Sequence, residues 1–428
     1  MPGTTPRYLL RMASVETHLG HTREALKWME QYASMGLTYD IAGDEDLAPL
    51  AKDEGFKPIA ARLRENAKPV EKAELVCTLP LPDMMPEDLT FEKASRTFVM
   101  SSIQHHTLYR VSLPVSLPKT GSQECAVAEI PLPEEARRWP TLAVSSDATR
   151  NVLWMTASAM PGFAGFPNED DGKAALLAIA GATGKVLRRF DPSTGSAAVL
   201  GDMSVARDGT VYLTDSIGGG VYRVRGDLAS SKLEKIADGL LSPQTPVLAR
   251  DGQRLFVPEY PMGIAVVSLI PDKATSDKQV TDQTTPGKIR SNTTLSNATS
   301  KTTSKTIKAD QTTQRLDYLH HPANVAVTGL DGLYLSGDSL VGIQNGTEPA
   351  RIVRYRLNHA QTEILSAEVI EQSTDRLGEP THVIEVDGWF YVTANVGWNK
   401  IDDSGTLKPG QQFTRPILLR FRKAVLSH

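Results

Sequence analysis

Residues 201–224 read GDMSVARDGTVYLTDSIGGGVYRV, most of a four-stranded β-meander. Residues 203–206 form a short first strand, and Arg207-Asp208-Gly209 a tight turn. Residues 210–214 alternate as a second strand, 217–220 make a permissive corner, and 220–225 form a third strand. Residues 233–237 are the candidate fourth. Val211 and Leu213 between polar neighbours give the period of two of a strand with a buried face. Asp-Gly between two such runs signals a hairpin, because glycine takes positive φ without steric cost. One such sheet cannot bury its own face, so the fold needs copies.

The copies are present on both sides. Upstream lie residues 86–111, in looser form, and 139–190, whose strands are 142–144, 152–155 and 175–179 with a last hairpin at 182–185. Downstream follow 243–267, 330–357 and 379–421. The first strands of the third and fourth copies stand about forty residues apart, the spacing of propeller blades. Six copies predict a mainly β chain, a six-bladed β-propeller over residues 71–428. The lone strand at 73–79 is expected to join the last blade as its outer strand, beside 416–423. That closure removes an open sheet edge.

Ahead of the propeller, residues 1–70 carry a helical pattern. Leu9, Met12 and Ala13 mark one helix face; Ala25, Leu26, Met29, Tyr32 and Ala33 mark a second, with Gly20 between them. The small residues Ala13 and Ala25, where the two helices would touch, give the segment a tetratricopeptide-like look. Tyr32 stands where a small residue is usual, and no proline closes the unit at Leu37. Residues 44–66 add another helical pair. So few units should lean on the propeller rather than build a peptide groove. The stretch 273–315 is dominated by Thr, Ser, Lys, Asp, Gln and Asn. It reads as a disordered surface insertion between the third and fourth strands of blade four. The acceptor-like triplets at Asn292 and Asn297 fall in this threonine-rich tract and read as chance matches.

Composition excludes several classes. The chain has 428 residues, 40% hydrophobic and 22% charged, with a net charge of -4. Near-neutrality argues against a nucleic-acid partner, and no apolar run is long enough to span a membrane. Cys77 and Cys125 could pair, but two cysteines make no disulfide framework, and the favoured reading is two independent thiols. The start MPGTTPRYLL has no apolar core with a cleavage site. The compartment is therefore open: periplasmic or secreted if an upstream signal is missing, otherwise cytoplasmic.

The strings PEDLTF (86–91), GDMSVARDGTVYLTDS (201–216), ARDGQRLFVPEY (249–260) and GLDGLYLSGDSLVGIQNG (329–346) resemble the senescence marker protein, gluconolactonase and luciferin-regenerating enzyme superfamily. More broadly they resemble six-bladed propellers of the NHL kind. The resemblance covers about residues 73–428 and rests on blade pattern. A tetratricopeptide-like end followed by such a propeller also resembles a group of bacterial proteins of unassigned function. The superfamily resemblance implies a lactonase-type hydrolase with one divalent cation (calcium, magnesium, manganese or zinc) at the top of the channel, held by a glutamate, an asparagine and an aspartate. Carried over by position, the glutamate is Glu87 and the aspartate Asp331, which doubles as the candidate general base. The asparagine's place is held by Gln244, one methylene longer and followed by Thr245 rather than glycine. Asp202 opens blade three at an equivalent height and is the candidate to replace a missing ligand or to handle protons.

Other positions are candidates for a small sugar-like or lactone ligand. Gln344 and Asn345 sit past a second strand near one rim, as does 395–399 (NVGWN) with Trp398 as an aromatic plate. Thr381 and His382 start the inner strand of blade six. Three motifs are set aside. Gly337-Asp338-Ser339-Leu340 reads as a hairpin turn, and Gly181 to Lys185 lacks the hydroxyl and the helix of a phosphate loop. The pairs His105-His106 and His320-His321 point to opposite faces of a strand. Two functions stay open: a metal-assisted lactone or ester hydrolase, and a non-enzymatic scaffold that binds a protein partner.

Overall fold

Each of the six expected copies folds as its own antiparallel sheet in a computed structural model, which describes residues 5–114, 123–193, 195–269 and 316–423. The first strands are Leu89–Glu92, Thr141–Asp147, Leu200–Val205, Val247–Leu248, Leu330–Ser336 and Val383–Val386. They lie against one another from blade to blade, except at blades three and four. There Thr245 Oγ1 closes the ring by donating to Asp202 Oδ1 at 2.6 Å. The chain is a six-bladed β-propeller.

Packing between blades follows from the period of two. Alternate residues face the next blade, so each interface gathers an apolar layer. Leu153 and Met155 of blade two meet Val99 and Leu108 of blade one, and Trp154 and Leu176 meet Leu200 and Leu213 of blade three. Phe256 and Ile264 pack on Leu333 and Tyr355, and Val341 and Ile352 pack on Phe390 and Val392. Each fully buried side chain of this kind contributes about 1.5–3 kcal/mol.

The ring closes as expected. Glu74–Thr78 pairs antiparallel with Ile417–Arg422 as the outer strand of blade six. A further strand, Val70–Glu71, was not expected; it pairs with Ile364–Gln372 and gives blade five a fifth strand. The reading of two independent thiols is corrected: Cys77 and Cys125 form a disulfide, with Cα atoms 5.4 Å apart. The cause is a direct bridge between the two segments. Thr78 bridges to Glu124, outside blade one, which brings two residues 48 apart in sequence side by side.

Helices Pro6–His18 and Thr22–Ser34 pack together through Ala13 and Ala25, both fully buried. The expected second helical pair is a 3-10 turn, Ala48–Lys52, and one α-helix, Phe56–Asn66. Pro49 stands in the first positions of the 3-10 turn, where proline is tolerated. These helices lean on blade five. Arg351, buried and without a carboxylate partner among the described residues, donates through Nη1 to Gly36 O (3.0 Å) and Met35 O (3.3 Å) at the end of the second helix. Gln372 Nε2 donates to Asn66 O (2.8 Å) and Lys68 O (3.0 Å).

The insertion at 273–315, with Asn292 and Asn297, lies outside the described residues. The strands that flank it, Gly263–Ser268 and Asp317–Tyr318, pair as third and fourth strands of blade four. Gly337 and Asp338 form the turn between paired Ser336 and Ser339. His105 and His106 diverge: His105 Nδ1 lies 2.8 Å from Tyr109 OH, and His106 Nδ1 lies 3.2 Å from Arg137 O.

Candidate functional site in the channel

Polar groups at the strand starts divide into two sets. The first is a belt that joins neighbouring blades through the main chain. Asp88 Oδ2 accepts Val144 N–H (2.8 Å) between blades one and two, and Ser158 Oγ accepts Leu200 N–H (3.0 Å) between two and three. Gly329 N–H donates to Tyr260 O (2.7 Å) between four and five, and Gly332 N–H to Thr381 O (2.9 Å) between five and six. Thr381 Oγ1 donates to Glu87 O (2.7 Å) and completes the circuit. A Cβ at position 332 would lie 2.5 Å from Thr381 O, so Gly332 permits this close approach.

The second set is a group of carboxylates that act on one another through charge. Glu87, Asp202, Asp331 and Glu379 come from blades one, three, five and six. Two of them owe their aim to irregular pairing. The register shifts between Leu200 and Asp202, and again between Leu330 and Leu333. Such bulges redirect a side chain at a sheet rim. Glu87 precedes its strand, and Trp398 Nε1 donates to its Oε2. Asp331 Oδ2 accepts the Asn345 amide N–H at 2.6 Å, and Asn345 Oδ1 accepts Tyr260 OH at 2.9 Å. Glu379 Oε2 accepts Asn399 N–H at 2.6 Å.

Burial and mutual repulsion hold these acids in an unusual state. Burial pushes Glu87 up to about 8, helped by the charges of Asp202 and Glu379 and opposed by the Trp398 bond. Burial pushes Asp202 up to about 6, against the Thr245 bond. Asp331 stands well above the usual carboxylate range through burial and then the charges of Glu87 and Asp202. Glu379 is raised by burial, with Asn399 N–H and Lys408 acting against it. Beside this group, His382 Nε2 lies 3.1 Å from Asp88 Oδ1, and burial lowers the imidazole to about 3. The ring is therefore neutral at pH 7 and belongs with the belt.

The sequence candidates separate along the same line. Glu87, Asp202 and Asp331 join one electrostatic group, and Asn345 touches it. Thr381 and His382 are committed to the belt. Gln344 is fully buried: its amide donates to Ala326 O (3.1 Å) and Thr328 O (2.8 Å), and its Oε1 accepts Arg351 Nε (2.7 Å). Gln244 turns its amide nitrogen onto its own corner, to Ser242 O (3.1 Å) and Ser242 Oγ (3.0 Å). Trp398 serves as a donor to Glu87 through its ring nitrogen. No group of three or more His, Cys, Asp and Glu side chains among the described residues is arranged to hold a metal ion.

Glu379 and Tyr260 were missed. Glu379-Pro380-Thr381 precedes the first strand of blade six much as Pro86-Glu87-Asp88 precedes that of blade one, and this parallel was the available signal. Tyr260 had none, because its place depends on a distant residue. A Cβ at position 346 would meet the Tyr260 hydroxyl at 2.4 Å, so Gly346 leaves room for the ring.

No protein-family model matches the sequence, and no curated protein matches it. Among solved structures, it is similar to luciferin-regenerating enzyme, at 11% identity over 82% of this chain and 95% of that one, with a TM-score of 0.46. It is also similar to the PQQ-bound aldose sugar dehydrogenase from Streptomyces coelicolor, at 14% identity over 83% and 98%, TM-score 0.47. A gluconolactonase from Xanthomonas campestris matches at 13% identity over 82% and 96%, TM-score 0.44. At these identities the likeness is one of fold.

Proposed function

We propose that the channel binds a small polar molecule, sugar-like or lactone, and hydrolyses its ester bond with the help of one divalent cation. The observation that carries this reading is the confrontation of Glu87, Asp202, Asp331 and Glu379, each raised by burial, with Glu87 and Asp331 raised further by the others' charges. Oxygen donors of this kind suit a hard cation, and a pair of carboxylates completed by water suits magnesium or calcium. Glu87 and Asp331 would hold it; Gln244, bonded to Ser242, does not fit that role as it stands. When bound, the cation would polarise the carbonyl and lower the pKa of water.

The chain's own groups supply the rest. Asp202, near 6, is mostly ionised at neutrality and takes a proton as general base, while Thr245 fixes its orientation. Asp331 is the alternative base, aimed by the Asn345 amide. A second reading, a scaffold for a protein partner, is favoured by one observation: Tyr8, Val15 and Leu19 are exposed along the first helix and just past its end.

Calorimetric titration of calcium, magnesium, manganese and zinc into wild type and Asp331→Ala tests the first reading. A binding isotherm that weakens at least tenfold in the variant supports it, and a lactone panel follows. If none of the four cations binds or stabilises the wild type, the metal-assisted hydrolase is abandoned.

A further inference from the structure

Residues 344 and 345 stand back to back at the channel end of blade five. Gln344 closes the strand Ser339–Gln344 and lies opposite Arg351, the first residue of the strand Arg351–Leu357. Successive side chains along a strand point to opposite faces, and different parts of the molecule claim these two. Gln344 turns away from the carboxylates: its Oε1 accepts Arg351 Nε at 2.7 Å, and its amide holds Ala326 O and Thr328 O. Asn345 turns toward them. Its amide donates to Asp331 Oδ2 at 2.6 Å and to Pro380 O at 3.0 Å, and its Oδ1 accepts Tyr260 OH.

Arg351 carries the other end of this connection. Its guanidinium is buried beside the end of the helix Thr22–Ser34, where it donates to Met35 O and Gly36 O. The helix dipole favours a cation at that end, so the charge is kept there without a carboxylate among the described residues. A second tie runs alongside, from Thr38 N–H to Glu348 O at 2.8 Å. The corner 345–350 is therefore gripped by the helical segment on one side and by Asp331 on the other. As mere filler, Arg351 could be replaced by an apolar side chain of similar volume. Its rigid fork instead aims one N–H at the helix end and another at Gln344.

We infer that Arg351 is a positioning residue for the channel: through Gln344 it fixes the start of the corner, and through Asn345 that corner aims Asp331. The inference rests on the reading of Asp331 as a group that holds the cation or takes the proton. Arg351 touches none of the reacting groups and acts at one remove. The helical segment thereby becomes a working part of the channel, because a shift of the helix end moves Gln344, and Asn345 moves with it.

The test uses the full chain and two substitutions. Arg351→Met removes the guanidinium, and the gentler Arg351→Lys keeps a cation near the helix end but has no Nε–H for Gln344. Hydrogen exchange without divalent cations follows Gly332 N–H, which donates to Thr381 O, and Gly346 N–H, which donates to Gly329 O. Both should exchange roughly tenfold faster or more in either variant, while Val144 N–H, held by Asp88, keeps its rate. Calorimetry with calcium and magnesium then compares each variant with Asn345→Ala and with the double variant. Each single substitution should weaken binding about fivefold or more, and the double should bind no worse than Asn345→Ala alone, since Arg351 acts through Asn345. Unchanged exchange at Gly332 and Gly346, equal acceleration at Val144, or effects that multiply in the double variant would each overturn the inference. A wild type that binds neither cation ends the channel reading instead, and the exchange rates alone then decide the role of Arg351.

Discussion

Glu87 and Asp88 are neighbours in sequence, both acidic, and both raised by burial, yet they belong to different machines. Asp88 has its oxygens filled by Leu89 N–H, Val144 N–H and His382, and it fastens blade one to blade two. Glu87 takes one indole N–H and otherwise faces the charges of Asp202 and Glu379. Asp88 feels the charges of Asp202 and Glu87 as well, so what separates it from Glu87 is hydrogen-bond satisfaction, not charge, residue type or depth. A satisfied buried acid is part of the frame, whereas one with few donors stores a demand that a cation, a proton or a ligand can meet.

The largest expected effect breaks the belt. Asp88→Ala leaves two main-chain N–H groups and His382 without their partner, and should cost about 3 kcal/mol or more in urea denaturation. An equal loss in Glu87→Ala would erase the distinction between the two residues. Next, Glu87→Gln should fold normally and raise Tm at pH 8–9, because it removes a repelling charge and keeps the acceptor for Trp398. The same variant should weaken cation binding at least tenfold in calorimetry.

The pH dependence is subtler. Glu87 rises from 4.5 to about 8 on folding, and Asp202 from 3.8 to about 6. Raised acids bind protons more tightly in the folded chain, so their contribution to stability is full below about pH 4 and is lost as the pH climbs through 6 and then 8. Tm measured without divalent cations should therefore fall across this window, and less steeply in Glu87→Gln. The smallest effect is expected of Gln244→Ala. Among the described residues its side chain bonds only Ser242, so stability should change by less than about 0.5 kcal/mol. A large loss of cation binding in that variant would return Gln244 to the site.

Legibility in the sequence followed the range of the forces involved. The blades could be read because the period of two and the Asp-Gly turn are local, and the closing strand because an edge needs a partner. Glu87 and Asp331 follow from the family resemblance and Asp202 from its place at the opening of blade three; that Asp202 and Glu87 act on Asp331 through charge emerges only in the fold. The bulges that aim Asp202 and Asp331 are properties of pairing between strands, and no residue announces them. Gln344 looked like a rim amide, but a buried arginine from the next strand claims its oxygen. Cys77 and Cys125 pair because the bridge between Thr78 and Glu124 sets them side by side, which a residue count could not show.

The closing strand also sets an order of events. Glu74–Thr78 leaves the ribosome long before its partner Ile417–Arg422. At about 5–20 residues per second, this strand waits tens of seconds as an unpaired edge. Its other tether needs no such wait, since Cys125 follows Cys77 by 48 residues. In an oxidising compartment, the nascent chain can park the strand against blade one long before the sixth blade exists. The last strand then docks onto a seat already in place.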